Sequence, residues 1–177
     1  MMRRPHRVAH AIALATLAWG LACCDSAANQ GKAYFDDMKL RAEAGEAVAQ
    51  VAIANIYRGN HVTSHVVTGA SATAAMDTKG VVDEAPQVAV MWFQKAVDQG
   101  SCEAAFGLAQ MHHFPKASWE GFTADRSEAR KWYRKADELG LEGSLKEIAT
   151  KSIRELTEEL EVEGKSVQKI MAPSKKK

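Results

Sequence analysis

The chain has too few cysteines to be held together by disulfide bonds. It contains three, of which Cys23 and Cys24 lie close to the N-terminus and only Cys102 lies further along. A lone thiol cannot form an internal disulfide framework, so stability has to come from a packed apolar core. The expected role of Cys102 is that of a small buried apolar side chain.

The chain also lacks an excess of charge of either sign. It carries 23 Lys and Arg against 22 Asp and Glu, and three of the basic residues, Arg3, Arg4 and Arg7, precede the N-terminal apolar run. A nucleic-acid-binding domain normally presents a strongly basic face. The chain beyond these three arginines is slightly acidic, so we expect no nucleic-acid partner.

No catalytic motif is present in the sequence. There is neither a G-x-S-x-G nucleophile elbow nor an H-E-x-x-H metal-binding pair. Residues 163–166 (EGKS) match the end of a phosphate-binding loop, but Glu159 stands where that loop requires its first glycine. We therefore predict no catalytic residues, no cofactor and no enzymatic activity.

The apolar run near the N-terminus is too short to span a membrane. It covers residues 8–22 and follows a basic start, MMRRPHR, whereas a spanning helix needs about 20 residues. A basic segment followed by a short apolar stretch is typical of a secretory signal peptide. We therefore expect export by the ordinary secretory route.

The run ends in GLACCD, residues 20–25. This ending resembles the lipoprotein box of bacteria, in which a cysteine receives a lipid. Cys24 fits as the acceptor, and Cys23 is the alternative. Plain cleavage after Ala28 also stays open, and it would leave a soluble periplasmic protein. The resemblance implies a protein of the bacterial cell envelope, on the periplasmic side and anchored to the membrane through its N-terminal lipid.

A fourteen-residue block occurs twice, forty positions apart. Residues 87–100 read QVAVMWFQKAVDQG and residues 127–140 read SEARKWYRKADELG. The matched positions include Ala89 and Ala129, Trp92 and Trp132, Phe93 and Tyr133, and Gly100 and Gly140. A fixed period of this length marks a stacked supersecondary unit. Because each unit buries its apolar face against its neighbours, we expect both tryptophans to be buried equivalently between helices.

A helical pattern follows each of three glycines. The positions four, eight and twelve residues after Gly45, Gly100 and Gly140 are mostly small or apolar, which places them on one face of a helix. The glycines themselves suit the left-handed residue that commonly ends a helix. The repeating unit is therefore a helix, a loop, a second helix and a glycine.

This pattern resembles the Sel1-like repeat, a relative of the tetratricopeptide repeat. The unit at 100–140 matches it best, the unit at 45–100 matches at both ends, and a third unit from Gly140 keeps only its first helix. The resemblance implies an all-α fold, a short α/α solenoid of helix–loop–helix repeats with a C-terminal capping helix. The predicted segments are a signal peptide with lipoprotein box at 1–24, a linker at 25–33, the repeat domain at 34–161, and a helix end with a basic tail at 162–177.

The first unit carries an insertion at residues 60–82. It makes this loop 15 residues longer than its counterpart in the second unit, and it contains no Leu, Ile or aromatic residue. Such a segment cannot bury enough apolar surface to order itself, and long loops in compact domains are usually functional or disordered. We expect it to be mobile and to contribute to partner binding rather than to folding.

Four histidines offer an alternative function. His61 and His65 lie in the insertion, and His112 and His113 end the first helix of the second unit. Stacked units would bring these segments to the same edge, and imidazole nitrogen suits zinc. The alternative is thus a metal- or small-ligand-binding protein, or a hydrolase, that uses this cluster. No acidic residue is evident to orient the rings, so the main interpretation contains no metal site.

The leading prediction is a non-catalytic protein–protein interaction module. Proteins with Sel1-like repeats are generally adaptors or scaffolds, and some secreted ones resemble immunity proteins, so the resemblance implies that the partner is another protein. Equivalent first-helix positions on the inner face pair Asn55 with Gln110 and Arg58 with His113, and Trp119 is an aromatic residue of the following loop. We predict that these five residues contact the partner.

Overall fold

The fold is that of a computed structural model, which describes residues 29–60, 63–68 and 72–171. Within these residues there are six helices and one two-stranded antiparallel sheet. In chain order the elements are α1 (29–43), α2 (Ala47–Tyr57), β1 (Thr63–Thr68), β2 (Ala72–Asp77), α3 (Pro86–Val97), α4 (Cys102–His113), α5 (Arg126–Glu138) and α6 (Gly143–Met171).

The helices pack in the order in which they occur along the chain. Helix α2 packs on α3, α3 on α4, α4 on α5, and α5 on α6. Helix α1 joins the array through Phe35, whose ring meets that of Tyr57 edge-on at 5.9 Å between centroids. Each helix thus buries its apolar face mainly against neighbours in the sequence, as in a solenoid. The predicted helical repeat fold is confirmed.

Glycines and capping side chains mark the helix ends where the sequence places them. Gly45, Gly100 and Gly140 have φ angles of 97°, 88° and 90°, a left-handed conformation that residues with a Cβ adopt only with strain. At the helix starts, the Ser101 hydroxyl accepts the Ala104 N–H at 3.1 Å. The Asp125 carboxylate likewise accepts a backbone N–H of the first turn of α5. These caps satisfy donors that a helix N-terminus leaves unpaired.

The aromatic pairs of the two repeats divide into core and rim. Phe93 and Tyr133 are both only 1% exposed, and Trp92 is also buried. Trp132 is only half-buried, so the prediction that the two tryptophans are buried equivalently is wrong. Trp132 lies at the rim of α5, where it lines the depression between α3 and α5 and the Lys131 ammonium lies 5.3 Å from its ring centroid.

The insertion contains regular structure that the sequence did not predict. Strands β1 and β2 pair antiparallel, with Thr63 opposite Asp77 and Thr68 opposite Ala72. Valine and threonine favour such extended pairing. Thr78, directly after β2, is completely buried. The described part of the segment that we expected to be a mobile loop is therefore an antiparallel pair of strands, followed by a residue that is buried in the folded body.

Helix α6 closes the C-terminal end of the array. Ala149 and Leu156 are completely buried, whereas Ile148 remains 47% exposed. Arg126, at the start of α5, forms ion pairs with Glu159 at 2.8 Å and Glu163 at 2.6 Å, although such exposed pairs contribute little stability. In the ranges that the structure describes, no helix is both long enough and apolar enough to cross a membrane.

Candidate functional site

A cleft opens where α2 and α4 end side by side. We call it the Arg58 cleft, and its volume is about 290 Å³. Its described lining consists of Arg58, Asn60, Gln110, Met111, Phe114, Lys116 and Trp119. The first two come from the end of the first unit's leading helix, and the others from the end of α4 and the loop that follows. The cleft therefore lies between the two repeats.

Arg58 lies at the centre of this cleft and contacts the next repeat. Its Nη1 donates to the side-chain oxygen of Gln110 at 3.2 Å and lies 3.4 Å from the carbonyl oxygen of Gly107. The guanidinium carbon is 5.6 Å from the centroid of the Phe93 ring. Burial lowers the pKa of Arg58, and no carboxylate among the described residues offsets that effect. All of these partners are neutral.

The side wall of the cleft is held by Glu84. One carboxylate oxygen accepts a hydrogen bond from Lys116 Nζ at 2.8 Å, and the other accepts from Trp119 Nε1 at 2.8 Å. Trp119 is buried, with 6% of its surface exposed. The loop after α4 is thereby fastened to the segment before α3, and Phe114 remains 68% exposed at the mouth of the cleft.

Removal of the Glu84 carboxylate is expected to loosen this wall. In Glu84→Ala the buried indole N–H of Trp119 loses a charged acceptor, so the free energy of unfolding should fall by about 1–3 kcal/mol. Urea unfolding followed by tryptophan fluorescence measures the change. Lys116→Met is the control, because it removes a partly exposed ion pair with Glu84 and a long contact of 3.4 Å to the Gly59 carbonyl oxygen, which together should cost less than about 1 kcal/mol. An equal loss of unfolding free energy in the two variants would show that the hydrogen bond from Trp119 to Glu84 does not stabilise the wall.

The five predicted partner-binding residues do not form a single surface. Arg58 and Gln110 meet in the cleft, and Trp119 lines it. Trp119 is buried and its indole N–H donates to Glu84, so it supports the wall of the cleft, and its predicted contact with a partner stays a prediction. His113 faces α5 instead, with Nδ1 3.4 Å from the Tyr133 hydroxyl. Asn55 is half-buried and is not among the described residues that line the cleft.

The structure describes only part of the four-histidine cluster on which the alternative function depends. His61 and the side chain of His65 lie outside the described residues. His112 packs on Phe122 with 5.3 Å between ring centroids, and His113 stacks on Phe114 at 3.8 Å. No three His, Cys, Asp or Glu side chains within the described residues come together as metal ligands would. Both visible histidines serve as packing groups.

These two histidines predict how stability depends on pH. Burial lowers the pKa of His112 and of His113 below the ordinary 6.5. As the pH falls, these histidines are therefore protonated in the unfolded chain before they are protonated in the folded one. The contribution of the two neutral histidines to the free energy of unfolding is complete above about pH 6.5 and declines below it. We expect the free energy of unfolding to drop between pH 7.5 and 5.5. The drop should be smaller in the double variant His112→Gln, His113→Gln, as measured by urea unfolding at both pH values. An equal drop in the double variant would contradict this assignment.

Sequence reasoning missed the residues of the cleft that do not repeat. Asn60, Glu84, Phe114 and Lys116 all lie outside or at the ends of the periodic helices. The signal in the sequence was the loop after α4, where aromatic and basic residues occur without counterparts in the first unit. Such loop residues are often functional because they are positioned by a rigid scaffold.

A second depression lies between α3 and α5, and we call it the Trp132 groove. Its volume is about 600 Å³, and its described lining includes Gln94, Val97, Lys131, Trp132 and Leu139. It is larger than the Arg58 cleft but is bordered by both acidic and basic side chains, Asp98 and Glu138 among the former. It contains no desolvated charge comparable to Arg58, so we take the Arg58 cleft as the candidate site.

Comparison with known proteins agrees with the repeat architecture. The Sel1 repeat family matches residues 78–101 and 102–141, which are the end of the first unit and the whole of the second. Such repeats typically mediate binding to another protein and are generally non-catalytic scaffolds. No curated protein matches the chain.

Among solved structures, the chain is similar to a protective antigen present in uropathogenic Escherichia coli strains, whose crystal structure displays an SLR fold. The two are 24% identical with a TM-score of 0.42, over 59% of this chain and 18% of that chain. This chain thus spans less than a fifth of the length of that protein. The two matched segments and the observed helical pairs lead to one conclusion: the chain carries two Sel1 repeats.

Proposed function

We propose that this protein is a non-catalytic interaction module that holds one partner protein at the Arg58 cleft. The observation that carries the proposal is the exposed Phe114 ring, 68% accessible, at the mouth of a cleft between two Sel1 repeats. Aromatic side chains that are already positioned on a rigid support contribute strongly to protein interfaces. The cleft walls are fixed by Glu84, so little ordering is needed when a partner binds.

The size of the array favours a single partner. The described helices comprise two paired units and one helix on each side, which is short for a solenoid that organises several proteins. An adaptor and an immunity-like protein both meet this description. In either role the binding surface is the function, and the fold serves to hold it rigid.

We place the protein in the bacterial cell envelope, on the periplasmic side. The proposal is supported by the basic and apolar segments at residues 1–22 and by the two cysteines that follow. Cys24 is the proposed lipid acceptor, with Cys23 as the alternative; these residues lie outside the part of the chain that the structure describes. Mass spectrometry of the mature N-terminus tests this. A lipid-modified cysteine is expected, and an unmodified chain that begins at Asn29 would contradict it.

The interaction function is tested by affinity capture from an envelope extract, quantified by mass spectrometry. Wild type and the variant Phe114→Ser are compared with Arg134→Ser, which changes an exposed residue of α5 that is not among the described lining of the cleft. We expect one protein to be enriched by wild type and by Arg134→Ser and to be lost with Phe114→Ser. If no protein is enriched by wild type, the interaction function is wrong. Equal enrichment by all three forms would place the contact elsewhere.

A further inference from the structure

We propose that the Arg58 cleft binds an Asp or Glu side chain of the partner, presented beside an apolar residue that packs on Phe114. The inference rests on the proposed function and adds the chemistry of the ligand. It is carried by three features of the described residues. The Arg58 guanidinium has only neutral partners, the Asn60 amide occupies the edge of that guanidinium, and the exposed Phe114 ring lies in the same cleft.

The first feature is the uncompensated charge of Arg58. Its described partners are a carbonyl oxygen, an amide oxygen and an aromatic ring, and none is an anion. A charged group that is removed from water is normally paired with an opposite charge. The guanidinium group matches a carboxylate in shape, because two parallel N–H groups can meet its two oxygens. A carboxylate therefore fits this site better than any neutral group.

The second feature is the position of Asn60. When its amide oxygen is turned toward Arg58, that oxygen accepts from Nε at 3.0 Å and from Nη2 at 2.5 Å. These two nitrogens form the edge of the guanidinium that a carboxylate would meet. Asn60 is exposed and lies beyond the end of α2. Its amide is thus a neutral stand-in that a stronger acceptor can displace into solvent.

The charge balance of the cleft wall supports the same conclusion as Arg58 and Asn60. Lys116 is the other cation of the lining, and Glu84 neutralises it at 2.8 Å. The described lining contains no carboxylate, so Arg58 leaves one positive charge unbalanced. The cleft accordingly suits one carboxylate and not a cluster of anions.

The side chains that line the cleft beside Arg58 indicate which kind of partner residue lies next to that carboxylate. Phe114 is exposed at the mouth, and Met111 and Trp119 contribute to the walls. A volume of about 290 Å³ is at the lower end of the range for ligand pockets, so it receives side chains and not a folded element. The ligand is therefore an acidic residue with an adjacent apolar residue on the partner surface.

The test uses a library of random hexapeptides, acetylated and amidated so that chain ends carry no charge. Selection on the full chain is expected to enrich Asp or Glu next to an apolar residue. For the best selected peptide, exchange of its acidic residue for the matching amide should weaken binding about tenfold or more, and Arg58→Gln should do the same. Arg134→Gln removes an equal charge from exposed α5 and should leave the affinity unchanged.

A further variant leaves Arg58 intact, in case Arg58→Gln unfolds the chain. Asn60→Asp puts a carboxylate of the protein's own at the edge that the ligand would use, so it should weaken the selected peptide about tenfold while thermal melting stays at the wild-type value. Selected peptides without an acidic residue would overturn the inference and leave the interaction function intact. Selection of no peptide, or unchanged binding by Asn60→Asp, would also overturn it. The affinity capture described above tests the interaction function separately.

Discussion

Phe93→Ala is expected to lower the free energy of unfolding by about 3–5 kcal/mol, which is a large part of the stability of a small domain. The Phe93 ring is only 1% exposed. It faces Gly107 so closely that a Cβ added there would lie 2.7 Å from two ring carbons. The ring also lies beneath the Arg58 guanidinium, 5.6 Å from centroid to carbon. Its removal leaves a cavity at the junction of the two repeats, and urea unfolding measures the cost.

Trp132→Ala is the matched control for this prediction. The residue is larger than phenylalanine but only half-buried, so its loss should cost less than that of Phe93 despite the greater volume removed. A larger loss of unfolding free energy in Trp132→Ala than in Phe93→Ala would contradict the assignment of Phe93 to the core and of Trp132 to the rim. It would restore the interpretation in which each tryptophan is the main core residue of its repeat.

Gly107→Ala is expected to destabilise the protein, although alanine normally favours a helix over glycine by about 1 kcal/mol. The added methyl group would lie 2.7 Å from the Phe93 ring, and a buried ring in a packed core cannot move away freely. Overpacking of this kind costs about 1–3 kcal/mol. We therefore expect a lower midpoint of urea unfolding than that of wild type.

Two comparisons make the Gly107 prediction specific. In the Phe93→Ala background the obstructing ring is absent, so Gly107→Ala should become neutral or stabilising, a coupling that a double-mutant cycle measures. Gly164→Ala in α6 introduces the same change where nothing lies within 4 Å of the new methyl group, and it should stabilise by up to about 1 kcal/mol. A stabilising Gly107→Ala in the wild-type background would show that the repeats are less tightly packed than the structure indicates.

The repeated positions allowed the fold to be predicted from the sequence. Because Phe93 and Tyr133 recur at a forty-residue spacing, their shared environment followed from the pattern, and both are buried. The left-handed glycines followed in the same way. Periodicity identifies equivalent residues and not neighbouring ones, however. Arg58 was matched with His113, its equivalent, but in the structure it contacts Gln110 of α4, the first helix of the next repeat.

The wall of the cleft could not be predicted, because the residues that form it belong to segments that do not repeat. Glu84 precedes α3, and Lys116 and Trp119 follow α4, so their contacts join positions that no period relates. A lone aromatic residue in a loop is compatible with an interface or with burial. We predicted from the sequence that Trp119 contacts a partner, and the structure adds that its ring is buried and that its indole N–H donates to the Glu84 carboxylate. In the cleft, the aromatic residue that is exposed to solvent is Phe114.

Site-specific photo-crosslinking in the intact protein tests the central claim that the partner binds at the Arg58 cleft. A photoreactive residue is placed singly at Asn60 or Phe114 in the cleft, at Lys131 in the Trp132 groove, and at Lys151 on the exposed side of α6. We expect the first two positions to crosslink to the same protein and the other two not to crosslink to it. Crosslinks confined to Lys131 or Lys151 would place the partner elsewhere and contradict the central claim.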